Sequence, residues 1–202
     1  MAPPPDTLVD GVRDRALRVV GVDLGRILLE RAFGEAERRK LEIDYLLGDM
    51  RELEFDAEFD GVYCWHTSYG YFDDATNVSV LGQMARALRP GARLVVEQVN
   101  RDHIVHACPR RLWWERDELV VMEDITFDHR RSRLNVERSI VDEQQKPWEQ
   151  RISIRLYGVH EFDAMLRHVG LEVISISGDI AHPGAYVGPG DRNVIAVARK
   201  PK

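Results

Sequence analysis

Apolar and polar positions along the chain fall into alternating strand-like and helix-like blocks from Leu17 onward. Leu17–Asp23 (LRVVGVD) is a β-branched run that stops at a carboxylate, the pattern of a parallel strand. In Leu24–Lys40, Leu24, Ile27, Leu28 and Ala32 recur at helical spacing and predict one apolar face, with a charged, solvated end over Glu35–Lys40. Leu41–Leu47 alternates Leu41, Ile43, Tyr45 and Leu47 in strand fashion and ends in Gly48-Asp49-Met50. Glu58–Trp65 is a further strand that opens into the loop His66–Asp74. Thr76–Leu88 then predicts a helix with Val78, Leu81, Ala85 and Leu88 on one face, stopped by Arg89-Pro90-Gly91 before the strand Arg93–Val99. Two strand–helix–strand units in succession predict an α/β fold with a mostly parallel sheet and helices on both faces.

The period then changes. Glu118–Phe127, Leu134–Val141 and Arg151–Tyr157 alternate with a period of two, separated by turns at His129–Arg133 and Glu143–Trp148, which predicts an antiparallel β-meander. His160–Val169 returns to helix, with Phe162, Met165, Leu166 and Val169 on one side. Leu171–Ser177 and Asn193–Ala198 are two last strands joined by the Gly/Pro-containing loop Gly178–Arg192. Thr7–Leu17, after a proline-rich start, reads as a short helix. The expected organisation is one domain over residues 1–202, with residues 118–157 as an antiparallel insertion serving as a cap or a dimer surface.

Composition narrows the partners. With 202 residues and a net charge of -6, the chain suits one sizeable core and is a poor match for nucleic acid held through its phosphates. No apolar run approaches membrane-spanning length. Two cysteines, Cys64 and Cys108, without metal-ligand spacing or a secretory signal, point to free thiols and a cytoplasmic setting.

Candidate chemistry gathers at strand ends. Asp23 has two readings, an acid that binds a ribose diol through two carboxylate oxygens or a cap for the following helix. Asp49 is a second acid at a strand end, or a turn residue. His66 opens the loop richest in functional groups and is the candidate general base, or a histidine that packs within that loop. Trp65, Tyr69 and Tyr71 could offer ring faces to a cation or anchor the loop. Glu97, Asn100 and His103 border the end of the strand Arg93–Val99. Trp113 and Trp114 have two readings, a roof over a hydrophobic substrate pocket or, the favoured one, a seal of the meander against the sheet. The basic cluster Arg130, Arg131 and Arg133 suggests phosphate binding, but at a hairpin tip it reads as a solvated turn.

Taken in order, VVGVD at Val19–Asp23, LLGDMREL at Leu46–Leu53, FDGVYCW at Phe59–Trp65, MARALRPGARLVVE at Met84–Glu97 and the late helix with two strands resemble the class I S-adenosylmethionine-dependent methyltransferases. The resemblance runs from about Leu17 to Lys200. It implies a Rossmann-like sheet of seven strands with the last antiparallel, S-adenosylmethionine as cofactor, S-adenosylhomocysteine as product and a small-molecule methyl acceptor. It also implies that Asp23 holds the ribose, that Asp49 approaches the adenine amino group, and that Met50 and Arg51 line the adenine pocket. Gly21, Leu24 and Gly48 would border the same pocket, and Trp65 and His66 would lie beside the methionine part.

One departure stands out. The family's first strand, ending in an acid and a glycine-rich loop, has no counterpart in Met1–Ala16. That strand is central in the family's sheet, so its place must be filled by a further segment or a second chain, or closed by direct pairing of its neighbours. Three function classes therefore follow: an active small-molecule methyltransferase, for which a homodimer is one assembly allowed; a catalytically inactive relative acting as a binding or assembly partner; and a nucleotide- or dinucleotide-binding enzyme, for which Asp23 would also suit a ribose.

Overall fold

The computed structural model describes residues 17–116, 119–141 and 147–202. The helix expected over Thr7–Leu17 lies outside them except for Leu17, as does the centre of the turn expected over Glu143–Trp148. The chain divides into two compact units, residues 1–54 and 55–202.

In the first unit, strand β1 (Val19–Asp23) pairs in parallel with β2 (Ile43–Leu47), Val19 opposite Ile43 and Asp23 opposite Leu47. Helix α1 (Arg26–Arg39) makes the crossover and ends where Lys40 turns into the left-handed region, its N–H reaching Ala36 O and Glu37 O. Expectation and structure differ on the helix's apolar stripe. Leu24 precedes the helix, and Leu24, Ile27 and Leu28 are all more than half exposed, whereas Ala36 is the buried helical residue. Two strands give a helix cover along one narrow line only, and Ala36 occupies it.

The second unit carries a four-stranded sheet in the order β3 (Phe59–Cys64), β4 (Leu88–Val99), β10 (Asn193–Arg199), β9 (Glu172–Ser177). β3 and β4 are parallel, and β10 runs antiparallel to both of its neighbours, as the resemblance implies for the last strand. The strands thus fall into a two-stranded and a four-stranded ladder among the described residues, in place of one sheet of seven; β1 and β3 are each an edge strand of their own ladder.

Helix α2 (Asp74–Ala87) buries Asn77, Val80, Leu81, Met84 and Ala85, the i, i+3, i+4, i+7, i+8 face of an amphipathic helix. Each fully buried Leu or Val of this kind contributes about 1.5–3 kcal/mol. Arg89-Pro90-Gly91 stops the helix as expected, yet β4 starts at Leu88 because the same residues are drawn into the sheet: Gly91 N–H donates to Lys200 O at 2.8 Å, and Lys200 Nζ donates to Leu88 O at 2.8 Å. Helix α4 (Val159–His168) covers the sheet through Phe162 and Leu166, both fully buried.

The antiparallel sheet has one strand more than the sequence pattern predicts: β5 (Arg110–Arg116), β6 (Leu119–Asp128), β7 (Arg133–Val141) and β8 (Pro147–Arg155) pair in sequential order. Leu134 faces Ile154 and Val136 faces Ile152 across β7 and β8. These residues form a small core with Leu156, Val99 and Ile104. Ile104 belongs to a short helix, α3 (Arg101–Ala107), that the period-two reading passes over. Trp113 is 70% exposed and does not seal this sheet, whereas Trp114, on the opposite face of β5, is 38% exposed and largely covered.

Candidate active site

Parallel register brings two acids to one end of the first unit. Asp23 closes β1, and its backbone oxygen accepts the N–H of Gly48 at 3.1 Å, so Asp23 and the Gly48-Asp49 pair sit side by side at the carboxyl ends of β1 and β2. Asp23 is exposed, and its Oδ1 accepts the N–H of Gly25 at 2.6 Å. Gly25, not Asp23, is the N-cap residue of α1. Asp23 Oδ2 meets no donor among the described residues, so the carboxylate retains acceptor capacity.

Asp49 is more committed. It caps the 3-10 turn Met50–Glu52, its Oδ1 accepting the N–H of Arg51 at 2.8 Å and its Oδ2 accepting Arg51 Nη2 at 2.5 Å, with Arg51 Nε at 3.1 and 3.0 Å from the two oxygens. The side-chain and backbone bonds from Arg51 hold the Asp49 carboxyl below the usual carboxylate range. Met50, the first residue of that turn, is half-buried, and Leu24 is exposed. The backbone is closely approached here: a Cβ on Gly21 would stand 3.1 Å from the Tyr45 ring, and one on Gly48 would stand 3.2 Å from Val22 Cγ1, so either would require the neighbouring side chain to shift by a few tenths of an ångström.

In the second unit, the loop between β3 and α2 carries Trp65, half-buried, and His66, exposed. His66 and Thr67 both have φ of 54°, a left-handed conformation that costs roughly 1–2 kcal/mol per residue without glycine and is rarest for a β-branched side chain. Two bonds from β4 offset that cost. Glu97 Oε2 accepts the Thr67 N–H at 3.0 Å, and Thr67 Oγ1 accepts the Val99 N–H at 3.0 Å. Glu97 is only 5% exposed, and burial raises its pKa, partly opposed by the Thr67 and His66 N–H groups and the His66 charge. The same burial, with the Glu97 charge close by, pushes the Cys64 thiol up to about 12, so Cys64 is a core thiol rather than a nucleophile.

The rest of the loop is anchored. Tyr69 is buried and donates its hydroxyl to Asn77 O at 2.9 Å, while Asn77 Nδ2 donates to Phe72 O and to Tyr157 Oη. Gly70 has φ of 105° and accepts the Arg155 N–H at 2.7 Å. Tyr69 is therefore a packing residue, and Tyr71 stands 47% exposed. Asn100, at the end of β4, caps α3 and donates from Nδ2 to Gly188 O and Asp191 O, which fixes the loop before β10; His103 Nδ1 lies 2.9 Å from Pro189 O. The Glu97–Thr67 link escapes sequence reading because nothing in the letters His-Thr announces a positive φ.

Comparison with known proteins finds methyltransferases. Residues 7–91 match the model of a methyltransferase domain. A stretch of 79 residues is 39% identical to the demethylmenaquinone methyltransferase of Thermus thermophilus, covering 39% of this chain and 34% of that protein. A stretch of 95 residues is 32% identical to the O-methyltransferase cnsE of Penicillium expansum, covering 46% and 32%. The matched stretches thus span about a third of the length of these curated relatives. A crystal structure of an S-adenosylmethionine-dependent methyltransferase from Clostridium acetobutylicum superposes with a TM-score of 0.84 at 15% identity, over 98% of this chain and 80% of that one. Among the described residues, no helix is long and apolar enough to cross a membrane. Residues 7–91 carry a methyltransferase-domain signature, and the chain has the fold of the class I S-adenosylmethionine-dependent methyltransferases.

Proposed function

We propose that this protein transfers a methyl group from S-adenosylmethionine to a small-molecule acceptor. The observation that carries the reading is Asp23: a carboxylate with a free oxygen at the carboxyl end of a parallel strand, beside Gly48-Asp49 on the next. This is where open α/β sheets place a nucleoside. The residues present fit the ribose, because Asp23 Oδ2 can accept a hydroxyl while Oδ1 keeps the Gly25 N–H. They fit the adenine differently from expectation. The Asp49 oxygens already hold Arg51, so the base rests on Met50 and the Arg51 guanidinium face, and Asp49 serves by fixing Arg51.

S-adenosylmethionine supplies an activated methyl group on a sulfonium, and its transfer is an in-line displacement that needs positioning above all. In the first unit Asp23 orients the ribose and Gly21, Leu24 and Gly48 border the nucleoside; in the second unit, taken by itself, Trp65 offers a ring face in the loop after β3. His66 takes the proton that the acceptor loses. The antiparallel sheet β5–β8 then acts as a cap or a dimer surface. Calorimetric titration with S-adenosylhomocysteine tests the reading. Saturable one-site binding is expected, and ligand at a hundred times its dissociation constant should add about 2.7 kcal/mol of stability. Absence of heat and of any melting shift at millimolar ligand overturns it.

A further inference from the structure

Arg130, Arg131 and Arg133 look like a solvated turn in the sequence, but the structure docks the β6–β7 tip against the body of the second unit. Leu156 N–H donates to Ser132 O at 2.9 Å, and Ser132 Oγ donates to Leu156 O at 2.7 Å. Arg101 Nε donates to Ser132 Oγ at 2.9 Å, and Arg133 donates to Phe72 O at 3.0 Å and Tyr71 O at 3.1 Å. The docked tip forms one wall of an open cleft of about 570 Å³ whose other walls include Arg101, Arg155, His160 and the start of α2.

The charges in this cleft are not all matched. Arg155 is spent on Asp74 and Glu161, both at 3.0 Å, and Arg101 on Asp102 at 2.8 Å. Arg133 bonds only neutral oxygens, those of Tyr71, Phe72 and Ser153. The Arg130 and Arg131 side chains are exposed and meet no acceptor among the described residues. The carboxylates that remain without a cation, Asp73 and Asp128, are engaged by backbone N–H groups, of Thr76 and of Arg130 and Arg131 respectively. Three guanidinium groups therefore lack a carboxylate partner in a recess held by fixed hydrogen bonds. Guanidinium forks match the oxygens of a phosphoryl group, which carries nearly two charges at neutral pH. A polynucleotide is disfavoured by the chain's net charge of -6.

We propose that this cleft binds the phosphoryl group of a small molecule, with Arg130 and Arg131 as its direct ligands and Arg133 as a fixed positive support. The inference stands apart from the methyl-transfer reading, because its test reads binding alone. The full chain is titrated calorimetrically at low ionic strength with glycerol 3-phosphate, inorganic phosphate and glycerol. Glycerol 3-phosphate is expected to bind most tightly and glycerol not at all. The R130Q/R131Q double variant should lose at least tenfold in affinity for glycerol 3-phosphate while melting within a few degrees of wild type. Arg199→Gln, which removes a cation paired with Glu172 outside the cleft, should bind as wild type does. Equal binding by the double variant, or an equal loss in Arg199→Gln, overturns the site. Inorganic phosphate binding at least as tightly as glycerol 3-phosphate overturns the organic ligand.

Discussion

Glu97 Oε2 accepts the backbone N–H of Thr67 at 3.0 Å, so a buried carboxylate at the end of one strand holds the turn that follows another. The bond fixes where His66 stands, because the two left-handed residues are consecutive.

Glu97 also gives a pH signature. Its folded pKa is raised, chiefly by burial, so the folded state binds the proton more tightly than the unfolded chain. Stability then falls as pH rises from the ordinary carboxylate value through the folded value, and stays level above it. Glu97→Gln keeps an oxygen for Thr67 and removes the charge. The variant should match wild type in acid and melt higher at pH 7. Glu97→Ala should cost about 1–3 kcal/mol by stranding a buried N–H. Melting curves of the three proteins from pH 3.5 to 8 check both, and parallel curves for wild type and Glu97→Gln would rule out the assignment.

Gly70 is predicted to be intolerant of any side chain. At φ of 105° an added Cβ would sit 2.4 Å from Arg155 O, a contact with backbone that cannot swing aside. Gly70→Ala should lose on the order of 2–4 kcal/mol, visible in a urea denaturation midpoint; a loss below half a kcal/mol would contradict the packing described.

Asp23→Ala should weaken S-adenosylhomocysteine binding tenfold or more, equivalent to about 1.4 kcal/mol. Asp23→Asn preserves the acceptor for Gly25 and controls for local structure. An unchanged dissociation constant in Asp23→Ala removes the ribose role.

His66→Ala is expected to slow methyl transfer on the order of a hundredfold while leaving S-adenosylhomocysteine affinity within about twofold, a factor worth under half a kcal/mol. Single-turnover rates with an acceptor that supports catalysis, set beside calorimetric affinities, separate the two effects. Wild-type turnover in the variant would exclude His66 as the base.

Much of the fold was legible because period and punctuation agree where burial is one-sided. Leu134, Val136, Ile152 and Ile154 alternate cleanly and face one another across β7 and β8. Phe162 and Leu166 mark the buried face of α4. The strand β5 was missed because Arg110–Arg116 mixes charges with two tryptophans on opposite faces and buries no consistent face. At the site, the strand-end acids Asp23 and Asp49 were visible as residues, but their different commitments were not. One meets a backbone N–H and the other a whole guanidinium, a difference set by the turn geometry of Met50–Glu52. The arginine cleft was hidden for a related reason: docking of a hairpin tip depends on Ser132, Arg101 and Leu156 meeting across distant parts of the chain.

β10 lies between β4 and β9, and Val194, Ile195, Ala196 and Ala198 within it are buried. During synthesis the inner position of that ladder therefore stays vacant until residue 199 has cleared the ribosome, and β4 and β9 wait with unmatched backbone groups. Completion of the second unit's sheet thereby waits on the emergence of β10, and a message cut short before residue 193 yields two exposed edges prone to pairing with other chains.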